Sequence, residues 1–117
     1  MGRINIKRVY ELPAKTDGYR VLVDRLWPRG IKKEAAALDE WNKLLPPSSE
    51  LRKWFNHIPE RFNDFKKAYT KELLSHPEEL QRLRAIAKRQ NVTLLYSAKD
   101  TQMNQAVVLQ QVLSKPR

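Results

Sequence analysis

A chain of 117 residues has room for one ordinary hydrophobic core and not for two. Its composition, 41% apolar and 31% charged with no low-complexity tract, excludes a disordered chain, and 23 Lys and Arg against 13 Asp and Glu leave a formal charge of +10. Zero cysteines exclude disulfides, thiolate nucleophiles and zinc-thiolate sites, and fit a reducing, cytoplasmic setting.

The chain opens with Met1, Gly2 and Arg3, charged by residue 8 where a signal peptide needs an apolar run, and no stretch approaches the ~18 apolar residues of a membrane span. A soluble protein without a membrane partner is expected. Residues 4–10 alternate apolar and polar and predict a strand with one buried face. Pro13 and the Asp17-Gly18 pair make a loop. Residues 19–26 hold the apolar run Val21-Leu22-Val23, suited to a central strand covered on both faces, and Pro28 ends it. Residues 38–45 follow three alanines and predict a short helix carrying Trp41, stopped by Pro46 and Pro47. Ser48 or Ser49 then caps a helix over residues 50–55. Pro59 opens a helix of about four turns, with Phe62, Phe65, Tyr69 and Leu73 at spacings of three and four. Pro77 opens another, acidic early and basic late, with Asn91 as its left-handed stop. Residues 92–98 predict a second central strand. Asp100 or Thr101 caps a last helix running to Ser114.

The second and last strands are joined by roughly sixty residues of helix, long enough for a crossover, so they should be parallel neighbours. The expected architecture is a single α/β domain with a small, mostly parallel three-stranded sheet covered by helices. In such folds ligands sit beyond the carboxyl ends of the strands. Those ends carry Asp24, Arg25, Trp27 and Arg29 on one segment and Tyr96, Ser97, Lys99 and Asp100 on the other.

Arginine is the fork that binds carboxylate and phosphate at two points, so two arginines beside a rigid Pro28-Arg29-Gly30 corner read as a binding edge. Facing them, Ser97 to Asp100 leads into a helix whose first N–H groups would cradle an anion, with Lys99 adding charge; the plainer reading is that Asp100 merely caps. Asn104 falls one turn into that helix, facing either the cleft or solvent. Asp24 is expected to be the counter-charge of Arg25 rather than a general base. Trp27 is core or pocket, whereas Trp41 and Trp54 are expected in the core. His57 and His76 lack a partner at ligand spacing, Ser97 has no nearby histidine, and three glycines allow no phosphate loop, so no metal and no cofactor are expected. The leading function is a site for an anionic small molecule, lined by Asp24, Arg25, Trp27, Arg29, Tyr96, Ser97, Lys99 and Asn104, with catalysis left open. The alternative is a nucleic-acid-binding or regulatory domain drawing on the charge of +10, although no run of five basic residues occurs. A pure protein-interaction module would need an exposed apolar stripe. Oligomeric state is not readable.

Residues 17–31, Leu38-Asp-Glu-Trp41, Leu94-Leu-Tyr-Ser-Ala-Lys-Asp100 and Asn104 together resemble the YeaO-like branch of the domain-of-unknown-function 488 family. The resemblance spans nearly the whole chain and implies a bacterial or archaeal, cytosolic α/β domain with no activity to carry over. Other branches resemble it with Asp-Val-Arg on the earlier strand and Cys-His-Arg after the last. Asp24-Arg25 is similar to the former, but Asn104-Gln105-Ala106 stands where Cys-His-Arg would fall. The resemblance therefore carries the arginine edge and no cysteine chemistry.

Overall fold

Five consecutive residues, Val92-Thr-Leu-Leu-Tyr96, are all buried, and a strand buried on both faces needs hydrogen-bonded neighbours along both edges. The computed structural model, which describes residues 2–115, supplies them. Four strands, β1 (Ile4–Arg8), β2 (Tyr19–Leu22), β3 (Glu40–Trp41) and β4 (Val92–Tyr96), form one parallel sheet in the order β1-β4-β2-β3. Ile4 pairs with Val92 and Arg8 with Tyr96 on one side; Tyr19 pairs with Val92 and Leu22 with Leu95 on the other. The expected parallel pairing across the long helical crossover is present, with one strand more than expected.

Alternation along β2 and β4 sorts the core into two clusters. Val21, Val23, Val92, Leu94 and Tyr96 face α2 (Ser49–Phe55), α3 (Phe62–Leu74), α4 (Pro77–Ala87) and α5 (Gln105–Ser114), meeting Phe65, Tyr69, Leu73, Leu83 and Leu109 there. Each such side chain stabilises the fold by about 1.5–3 kcal/mol on burial. Leu22 and Leu95 point the other way, against Val9 and Ala36, with Trp27, Ile31, Leu38 and Trp41 half-buried around them. Helices thus cover one face; the other carries residues 26–41 with the single-turn α1 (Lys33–Ala36). No helix among the described residues is long and apolar enough to cross a membrane.

Residues 38–45 are not a helix. Asn42 explains why: its backbone N–H donates to the Leu22 carbonyl (3.0 Å), its side-chain oxygen accepts from the Leu44 and Leu45 N–H groups, and its amide donates to Glu40 and Glu79. Arg82 on α4 holds Glu40 as well. These distant partners draw the segment onto the edge of β2 as β3, overriding its local helical preference. Asn91 is not a left-handed stop either, being absent from the positive-φ residues; its side chain accepts from the Arg3 N–H and donates to the Thr16 carbonyl. β1 ends at Arg8 and is half-buried throughout, as an edge strand. The final helix starts at Gln105, later than expected.

Gly18 turns into β2 at φ 66°, and a Cβ there would lie 2.1 Å from the Asn91 carbonyl oxygen, which accepts from the Tyr19 N–H. Any side chain would push the start of β2 off β4. Beside it, Asp17 is buried and takes Lys7, Arg20 and the Ala14 N–H. Burial alone would raise its carboxyl; these donors outweigh burial and hold it below the usual range. A depressed carboxyl stabilises the fold above its unfolded pKa, and that contribution is lost as pH falls through the folded value. Asp17→Asn leaves the buried Arg20 guanidinium uncompensated and is expected to cost about 3 kcal/mol at pH 7, with the gap to wild type closing below about pH 4. Denaturant melts of both proteins across that range check it.

Candidate functional site

A cleft of about 370 Å³ opens beyond the carboxyl ends of the sheet. Three adjacent strands build it. After β1, Arg8 donates to the carbonyls of Ser97 (3.0 Å) and Ala98 (2.9 Å), its guanidinium stacks over the Tyr10 ring, and the Tyr10 hydroxyl donates to the Arg29 carbonyl (2.9 Å). After β2, the Val23 N–H still reaches the Leu95 carbonyl (3.0 Å), which sets Asp24 directly opposite the end of β4. There Asp24 accepts from the Ser97 N–H (3.0 Å) and from the side-chain amide of Gln105, the first residue of α5. Phe55 and Phe65, stacked at 4.4 Å, form an apolar wall, and Arg52 and His57 from the end of α2 complete the lining.

Five of the eight residues expected at the site line this cleft: Asp24, Arg25, Trp27, Arg29 and Ser97. Tyr96 does not, because alternation along β4 turns its ring into the core. Lys99 is exposed and outside the lining. Asn104 is fully buried as the cap of α5, its oxygen accepting from the Val107 N–H (3.0 Å) and its amide donating to the Asp100 carbonyl (2.9 Å). The expected N–H cradle is also absent. Asp100 itself accepts from the Gln102 and Met103 N–H groups, which hold its carboxyl below the usual range, five residues before α5 begins.

Asp24 is not the counter-charge of Arg25. Arg25 turns away and clamps two carbonyls, Nε donating to Pro47 (2.9 Å) and Nη2 to Pro46 (3.3 Å), which fixes the corner before α2. Trp27 uses its indole N–H on the Ile31 carbonyl (2.8 Å) and packs edge-on against Trp41, so it offers the cleft an apolar face only. Trp41 donates to the Asp24 carbonyl and is half-buried, while Trp54 is exposed rather than in the core.

Burial pushes the Asp24 carboxyl up; hydrogen bonds from Ser97 and Gln105 and the charge of His57 pull it back without cancelling that rise. His57 was legible as a residue but not as part of a site. Asn56 (φ 46°) and His57 (φ 55°) are both left-handed, an uncommon pair without glycine, and this turn brings the imidazole to the cleft. Arg52, Tyr10 and Gln105 carried no local signal at all, since each is placed by an element remote in sequence from Asp24.

A family model described as "Inactive DUF488-N3 subclade" matches residues 3–116. The chain is 55% identical over 106 residues to the uncharacterised protein YeaO of Escherichia coli strain K12, covering 91% of this chain and 92% of that one. It is 41% identical over 112 residues to uncharacterised proteins of Mycobacterium bovis and Mycobacterium tuberculosis, covering 96% of this chain and 94% of each. No solved structure matches it significantly.

The raised Asp24 carboxyl has a definite pH signature. Its ionisation costs more in the folded than in the unfolded chain, so the penalty is absent below its ordinary value of about 3.9 and grows as pH rises through the folded value. Asparagine keeps an oxygen for the Ser97 N–H, and its amide can donate to a turned Gln105. Asp24→Asn is therefore expected to melt level with wild type near pH 4 and above it at pH 7. Thermal melts at both pH values decide it; a variant that melts lower at pH 7 would show the charge to be stabilising.

Proposed function

The chain belongs to the inactive DUF488-N3 subclade, and from that premise we propose that it is a binding domain, holding rather than converting an anionic small molecule in the cleft beyond β1, β2 and β4. One observation carries the reading: Arg29 and Arg52 line one concavity and among the described residues neither has a carboxylate partner, while Arg25, committed to the Pro46 and Pro47 carbonyls, adds its charge to the same lining. Guanidiniums without carboxylates, gathered where the fold places ligands, favour phosphate or carboxylate. The apolar wall of Phe55, Phe65 and Trp27 favours an anion with a hydrophobic body over a bare ion. Gln105 supports holding over turnover, because its amide, on Asp24, neither takes nor gives a proton near neutrality. The lack of cysteine favours a reducing compartment such as the cytoplasm.

The test is calorimetric titration of the purified chain with phenyl phosphate and with hydrocinnamate, at low salt. Binding of either is expected, weakened by about 1.5–3 kcal/mol in Arg29→Ala or Arg52→Ala, the range of one charged hydrogen bond, with melting temperature unchanged because both residues are exposed. Absence of binding, or equal binding by both variants, would remove the reading. Displacement of phenyl phosphate by a duplex oligonucleotide would favour the nucleic-acid alternative instead.

A further inference from the structure

Two buried aspartates of this protein are treated differently. Asp17 and Asp24 are similarly covered, 6% and 8% exposed, yet Asp17 holds two cations and Asp24 holds none. No Lys, Arg or His nitrogen among the described residues lies within 4.0 Å of the Asp24 carboxylate. Its partners, Ser97 through its N–H and side chain and the Gln105 amide, are neutral. They leave part of its roughly four lone-pair directions open. The neighbouring Arg25 is spent on proline carbonyls, and the charge that reaches Asp24 most is that of His57 across the cleft. A buried carboxylate without a cation is costly, and this one sits in the wall of a cleft.

Resting on the anion reading above, we propose that the ligand is amphoteric, a small molecule whose anionic group meets Arg29 and Arg52 while an ammonium on the same molecule meets Asp24, as in an amino acid with an apolar side chain. A simple organic cation or a divalent metal ion would be repelled by the charges of Arg25, Arg29 and Arg52, three arginines against the one carboxylate in the lining. A simple anion leaves Asp24 unpaired. A zwitterion with an apolar body satisfies Asp24, the arginines and the Phe55 and Trp27 surfaces together. At about 370 Å³ the cleft is near the lower end of the ~300–1,000 Å³ range of ligand pockets, which suits a molecule of this size.

Phenylalanine and hydrocinnamate share ring and carboxylate and differ only in the ammonium, so their titration against the unmodified full chain at neutral pH isolates the Asp24 contribution. Phenylalanine is expected to bind roughly tenfold tighter or better, as one charged hydrogen bond gives. N-acetylphenylalanine, its ammonium removed, should bind no tighter than hydrocinnamate; this arm needs no variant. In Asp24→Asn the preference for phenylalanine should vanish while hydrocinnamate binding persists, and Arg52→Ala should weaken both. Hydrocinnamate binding equal to or tighter than phenylalanine overturns the amphoteric ligand and leaves the anion reading standing. Failure of phenylalanine, hydrocinnamate and phenyl phosphate alike overturns both.

Discussion

Everything in this molecule hangs on β4 being hydrogen-bonded along both edges. Parallel strands cannot be joined by tight turns, so seating β4 between β1 and β2 requires the chain to leave the sheet after β3, cross one face as α2, α3 and α4, and re-enter at Val92. The interior of that excursion is the larger core, and the carboxyl ends of β1, β2 and β4 are brought level by the same register, Arg8 opposite Tyr96 and Leu22 opposite Leu95. The cleft therefore follows from the ladder. Loss of the ladder at Gly18, where Asn91 leaves no space for a side chain, would misplace Asp24 at the far end of the same strand.

The two aspartates mark the two ends of β2. At the amino end Asp17 neutralises Arg20 and Lys7, and with the Thr93 hydroxyl donating to its carbonyl it stitches β2 to β1 and β4. At the carboxyl end Asp24 ties β2 to the end of β4 through Ser97 and to α5 through Gln105, but with neutral donors, so the stitch leaves charge unbalanced. The first end is built for stability. The second leaves a buried carboxylate facing a cleft without a cation, an arrangement that costs stability.

Much of this was legible locally. The apolar runs at Val21 and Leu94, the Phe62-Phe65-Tyr69-Leu73 spacing, the Ser48 cap and the prolines at 59 and 77 each report on their own neighbourhood, and each lies where its pattern placed it. What escaped depends on partners far along the chain. Residues 38–45 have helical composition, but Leu22, Glu79 and Arg82 hold them as β3 and a turn. Asp100 and Asn104 are both cap residues; only the burial of Asn104 against α5 decides that the helix begins after it. Five expected site residues share the cleft because strand ends predict location, whereas Tyr96 missed it through the parity of one strand, Arg52 entered from α2 and His57 through the left-handed turn after it.

The end of a parallel strand commonly holds anions with free backbone N–H groups at the following helix. Here several of those groups are already used: the Ser97 N–H by Asp24, the Gln102 and Met103 N–H groups by Asp100, the Val107 N–H by Asn104. The chain supplies its own acceptors at these places, where a phosphate would otherwise dock on backbone. An anion in the proposed site would then be held chiefly by side chains, and those at hand are the exposed Arg29 and Arg52, whose charges salt screens. Their forked guanidiniums would fix the anionic group, so the shape of the rest of the ligand would have to be read by the rigid parts of the cleft. Those are the stacked Phe55 and Phe65, the Trp27 face, and the Asp24 carboxylate fixed between Ser97 and Gln105.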